Sequence, residues 1–194
     1  MGKVELLSLT QQELAAFLQP MDAPAFRAEQ VGRWLARGAS IDEMTNLPAA
    51  LRARLSQAAV ANPVRVQGCF RSQIDDTQKL LYALEDGNIV EGVIMRYHHG
   101  DTLCLSTQVG CRMGCRFCAS TLDGLVRNLS PGEMLGQVAA VNRMLEKEGR
   151  RVHNIVLMGS GEPLDNYDNT VKFLRLVNAP ERMNISLRLS LIHI

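Results

Sequence analysis

Cys111, Cys115 and Cys118 are the residues of this chain best suited to chemistry. They lie close together, spaced C-x3-C-x2-C, with Phe117 directly before the last. Three thiolates hold three corners of a four-iron cluster and leave the fourth iron without a protein ligand. An open metal position binds a small molecule, as the open position of a catalytic zinc binds water. Two plainer readings compete. A structural zinc site wants four ligands, often as two C-x2-C pairs, and His98 and His99 stand well upstream, beyond a turn. A disulfide framework fits poorly with 5 cysteines, an odd number, and with a start, Met1-Gly2-Lys3-Val4-Glu5, that does not read as a secretory signal.

Three further positions invite a role. Met158-Gly159-Ser160-Gly161-Glu162-Pro163-Leu164 follows an apolar run directly. Its glycines allow close backbone approach, and Glu162 suits an ammonium partner; alone, the segment reads as an ordinary strand-to-helix turn. Thr102, Cys104 and Ser106 alternate onto one small, polar strand face, where Cys104 reads by itself as a buried small hydrophobe. Glu91 interrupts the run Ile89 to Ile94. A carboxylate is costly to bury without a partner, so Glu91 is either exposed or functional. Cys69 reads as structural.

The elements that position these residues follow from periodicity. Residues 1–62 read as an all-helical accessory module. Thr10 and Glu13 form a capping box ahead of Leu14, Phe17 and Leu18. Phe26, Val31, Trp34 and Leu35 repeat the helical spacing up to Gly38, and residues 42–59 add one or two short helices around Pro48. From Pro63 the period becomes two. Residues 79–84 and 89–97 flank the turn signal Glu85-Asp86-Gly87-Asn88, which predicts a small antiparallel β extension over 63–100 leading into a strand at 102–106. Beyond the cysteines the pattern is β/α. Ser130, Pro131 and Glu133 open a helix that Gly149 stops; residues 152–158 form a buried strand and 169–177 a second helix. The fold class is α/β with a parallel sheet, and in barrels of this class chemistry sits in loops after the strands. Both motifs occupy such loops.

Composition bounds the rest. Hydrophobic content of 46% is ordinary for a globular protein, no run approaches a membrane span, and cysteine usage fits a reducing cytoplasm. The net charge of +1 leaves no electrostatic footprint for nucleic acid. Arg27, Arg33, Arg37, Arg52 and Arg54 of the helical module read first as a solvated face.

The segments 102–121, 124–129, 132–133 and 159–164 together resemble the RlmN/Cfr family of radical S-adenosylmethionine (SAM) RNA adenine methyltransferases, with the RlmN branch favoured. Ser160 stands where that family usually has Met. The resemblance implies that 101–188 is the first part, about two βα units, of a radical-SAM (βα)6 partial barrel. It implies a [4Fe-4S] cluster on Cys111, Cys115 and Cys118, and SAM held at Gly161 and Glu162. It also implies Glu91 as acid/base, and Cys104 as the cysteine that resolves a protein–RNA crosslink with disulfide formation. The implied reaction methylates C2 of adenine in ribosomal and transfer RNA through a methyl-cysteine, with electrons from a flavodoxin-type donor. C8 methylation of the Cfr kind, a non-catalytic Fe-S or RNA-binding module and a zinc domain are the alternatives. No methyl-carrying cysteine stands in these 194 residues, and the core is expected to be C-terminally truncated. The last six residues, Leu189 to Ile194, match what a transposon sequencing adapter encodes, which predicts a non-native tail with no role for His193.

Overall fold

In the computed structural model, which describes residues 2–192, the local signals build the expected helices. The Thr10 hydroxyl accepts the Glu13 N–H, and the Glu13 carboxylate accepts the Thr10 N–H, so the capping box opens α1 (Gln11–Leu18). Helix α2 (Phe26–Ala36) ends before Gly38, whose φ of 67° is the left-handed conformation glycine adopts freely. Pro48 precedes α3 (Ala49–Ala58). The module is not all-helical, contrary to its periodicity. Val4–Glu5 (β1) and Ala59–Val60 (β2) pair in parallel across it. Two-residue strands are too short to leave an alternating pattern in the sequence.

One six-stranded sheet, in the order β10-β9-β6-β5-β4-β3, carries the rest. Strands β3 (Val64–Arg71), β4 (Gln78–Leu84), β5 (Ile89–Tyr97) and β6 (Gly100–Cys104) are antiparallel neighbours. Strand β9 (Val152–Val156) then joins β6 in parallel, and β10 (Ser190–Leu191) joins β9 in parallel. Extension and core therefore share one hydrogen-bonded sheet. Of the expected tail, Ser190 and Leu191 join it as β10 and Leu189 ends the 3-10 turn Leu187–Leu189 before them, whereas His193 and Ile194 lie outside the described residues.

Register sorts the two faces. Leu80, Tyr82, Val90, Ile94, Leu103 and Ile155 pair onto one face and are buried there. Lys79, Glu91, Val93, Cys104 and Val156 fall on the other. Helix α4 (Pro131–Glu146) packs against β3 and β9 and also touches α5 (Tyr167–Asn178) and the turn Leu6–Ser8. Its Ser130 capping box forms as the sequence predicts. Met134, Leu135, Val138, Val141 and Leu145 are all buried, and each such side chain contributes about 1.5–3 kcal/mol. The helical module docks on the outer side of α4. There Arg143 grips the Glu43 carboxylate with both terminal nitrogens, at 2.9 and 2.5 Å, and bonds the Gly38 carbonyl at 3.0 Å. A Cβ on Gly38 would approach the Ala139 carbonyl oxygen to 2.8 Å, so the tight docking requires glycine there.

Candidate active site: two loops at the strand ends

The cysteine loop is the tip of a β-hairpin that sequence periodicity missed. Strands β7 (Gln108–Gly110) and β8 (Leu125–Asn128) form this hairpin, with an irregularity between Val109 and Gly110. Gly110 has φ 72°, and a Cβ there would lie 2.0 Å from the Gly124 carbonyl oxygen. Only glycine lets the hairpin close at this point. The Cys111 N–H donates to that same Gly124 carbonyl at 3.0 Å, and the Cys118 N–H donates to the Cys115 carbonyl at 3.0 Å. Cys111 is buried, Cys118 half-buried and Cys115 exposed. Phe117 is 94% exposed, an unusual position for a large apolar ring on a free surface.

The donor set suits iron. Three thiols lie on one short loop, fastened at its base and reaching solvent at its tip. Among the described residues, no three His, Cys, Asp or Glu groups are drawn together around a single point, so the thiols share the loop without converging.

The glycine loop follows β9 and lies against the segment after β6. The Gly159 N–H donates to the Leu105 carbonyl, and the Ser160 carbonyl accepts from Thr107 and Gln108. A Cβ on Gly159 would come within 2.6 Å of the Leu105 carbonyl oxygen, and one on Gly161 within 2.6 Å of the Gln108 Cβ. Protein packing by itself therefore demands both glycines. Glu162 is half-buried, and its carboxylate accepts the Leu164 N–H at 2.9 Å.

Polar side chains that the sequence did not single out join the loops. Gln108 is fully buried; its amide nitrogen donates to Asn128 and Asp165, and its oxygen accepts the Glu162 N–H. Gln137 of α4 bonds both the N–H and the carbonyl of Ser106, replacing a strand partner where β6 has ended. The Ser106 hydroxyl donates to the Glu91 carbonyl and accepts from the Ser160 N–H. Ser160 and Ser120 stand hydroxyl to hydroxyl at 3.2 Å. The available signal was a run of polar residues, Ser106-Thr107-Gln108, just after an apolar strand.

Cys104 and Glu91 lie on the open sheet face. Cys104 pairs with Val93, so Glu91 is two residues further along the neighbouring strand. Burial pushes the Cys104 thiol above its usual range, while a hydrogen bond from the Met158 backbone pulls the other way. That bond brings Cys104 to the entrance of the glycine loop. Glu91 is exposed and forms an ion pair with Lys79 at 2.6 Å, so the penalty for burying it does not arise. All five cysteines are free, so the expected disulfide is not present. A large cleft lies elsewhere, between the helical module and α4. It is lined by Lys3, Arg65, Arg143 and Lys147 and contains none of the candidate site residues. Function is better sought at the loops, where the thiols are. No helix among the described residues is long and apolar enough to cross a membrane.

Comparison with known proteins matches residues 4–61 to the ribosomal RNA large subunit methyltransferase N-terminal domain, and residues 105–194 to the radical SAM superfamily. A "Probable dual-specificity RNA methyltransferase RlmN" of Alkaliphilus oremlandii is 51% identical over 97% of this chain and 54% of its own length. A protein of the same description from Clostridioides difficile is 46% identical over 96% of this chain and 54% of its own length. The crystal structure of a radical SAM methyltransferase from Sphaerobacter thermophilus superposes with a TM-score of 0.92 at 39% identity, covering 96% of this chain and 55% of that one. The chain thus spans about half the length of the relatives it matches.

Proposed function

We propose that this chain is part of an RlmN-type radical-SAM RNA methyltransferase, and that the whole protein methylates C2 of an adenine in ribosomal and transfer RNA; the matches to the two family models and to the relatives support this reading. The observation that carries this reading is the meeting of two loops: three thiols on a hairpin tip beside a glycine–glutamate loop, joined through Gln108. In this reading Cys111, Cys115 and Cys118 hold a [4Fe-4S] cluster. When bound and reduced, that cluster supplies the electron for reductive cleavage of SAM. Cys115, and Phe117 beside Cys118, are exposed at the tip, while Cys111 is buried at the fixed hairpin base.

Glu162 and the glycine loop receive the methionine end of SAM, with Gly161 supplying close backbone approach. Cys104 waits at the loop entrance as a protonated thiol, since burial disfavours its thiolate at neutral pH. Glu91, exposed on the same sheet face and paired with Lys79, is the acid/base residue of this reading. A flavodoxin-type reductant in the cytoplasm completes the cycle.

Anaerobic reconstitution of the chain with iron and sulfide tests the cofactor reading. The expected result is a reduced-cluster EPR signal that changes on adding SAM. About one zinc per chain with no labile sulfide defeats it. For the whole protein, nucleoside analysis of methylated RNA is expected to show 2-methyladenosine; 8-methyladenosine overturns the C2 assignment.

A further inference from the structure

We propose that Asp165 is a positioning residue that couples the cysteine loop to the glycine loop by holding Arg112, an inference that rests on reading these loops as two halves of one cofactor site. Arg112 directly follows Cys111, the first cysteine of the motif. Its Nε lies 3.1 and 2.9 Å from the two Asp165 carboxylate oxygens, and its Nη2 closes the fork on Oδ1. Asp165 comes three residues after Glu162, and its N–H donates to the Glu162 carbonyl at 3.1 Å. The carboxylate is the fixed partner: the Asp165 side chain is 12% exposed, against 61% for Arg112.

Gln108 supplies the third point. It donates to Asp165 at 2.9 Å and to Asn128 at 2.8 Å, and it accepts the Glu162 N–H at 2.8 Å. One buried amide thus fixes the carboxylate that grips Arg112 and also the backbone of the glutamate beside it. A planar fork on a carboxylate sets direction as well as distance, which a single ammonium does not. A displacement of the glycine loop therefore moves Arg112, and with it the first thiol. Ser120 and Ser160 form a second, weaker tie on the other side of the motif.

The test is a double-mutant cycle on the metal-free chain, read by amide hydrogen exchange. Asp165→Asn and Arg112→Gln are each expected to raise exchange severalfold in residues 111–118 and 159–164, leaving α4 unchanged. The double variant is expected to be no worse than either single one, because both remove the same contact. Exchange unchanged in the cysteine loop, single effects that add, or faster exchange throughout α4 overturns the proposal. Iron and sulfide uptake is measured in parallel, and both single variants are expected to load less than the parent. A parent chain that takes up neither defeats the cluster reading, while the exchange cycle still decides whether the coupling exists.

Discussion

Helix α4 and the cysteine loop are near neighbours in the chain and are held by opposite means. The helix is buried along almost its whole length, between the sheet on one side and the helical module on the other. The loop exposes Cys115, Phe117 and Leu122 and is tied down through hydrogen bonds at its base and an ion pair to Asp165. Apolar burial is non-directional and large in sum, so it sets where the scaffold stands. Directed polar contacts are individually small but fix orientation, so they set where the thiols point. A loop held in this way accepts a ligand at little expense to the fold.

The sharpest break of that contrast lies in the core. Phe173 of α5 is fully buried, and Phe173→Ala is expected to destabilise the chain by about 3–5 kcal/mol in denaturant unfolding. Next comes Gln137→Leu, which strips both backbone partners from Ser106 in a buried setting. Its expected cost is about 1–3 kcal/mol by the same measurement. A smaller effect follows pH at the joint between module and helix. The hydrogen bond from Arg143 first, then those from Ser40, hold the Glu43 carboxyl down at about 2. An unfolded glutamate titrates near about 4.3, so this contribution is complete above that pH and is lost as pH falls toward about 2. Glu43→Gln should flatten the acid limb of the stability curve, and added salt should shrink the difference because the pair is half exposed. The least effect on stability belongs to the loop. Cys118→Ala is expected to change metal-free stability by less than about 0.5 kcal/mol while abolishing iron and sulfide uptake. A loss for Cys118→Ala approaching that for Phe173→Ala would erase the distinction between scaffold and loop.

Much of this contrast is legible in the sequence. Thr10 with Glu13 and Ser130 with Glu133 mark helix starts because capping is a local exchange of two hydrogen bonds across three residues. The strands on either side of Gly87 follow from alternation and a turn signal. The hairpin of β7 and β8 is not legible there, since its strands are short and separated by the whole cysteine loop. The parallel pairing of β1 with β2 escapes for the same reason.

The sequence by itself determined which residues could do chemistry: three closely spaced thiols, a glycine–glutamate turn and Cys104 on an alternating strand. Spacing and side-chain type carry that information without reference to the fold. Only the tertiary structure decided that Gln108 and Arg112 meet Asp165, that Ser120 meets Ser160, and that Glu91 lies exposed beside Lys79. The first three contacts join residues 40 to 57 positions apart. They exist because β6 and β9 pair in parallel, which carries the loops after both strands to the same end of the sheet. The periodicity of each segment reports which face is buried, but it holds no record of which distant segment will lie beside it.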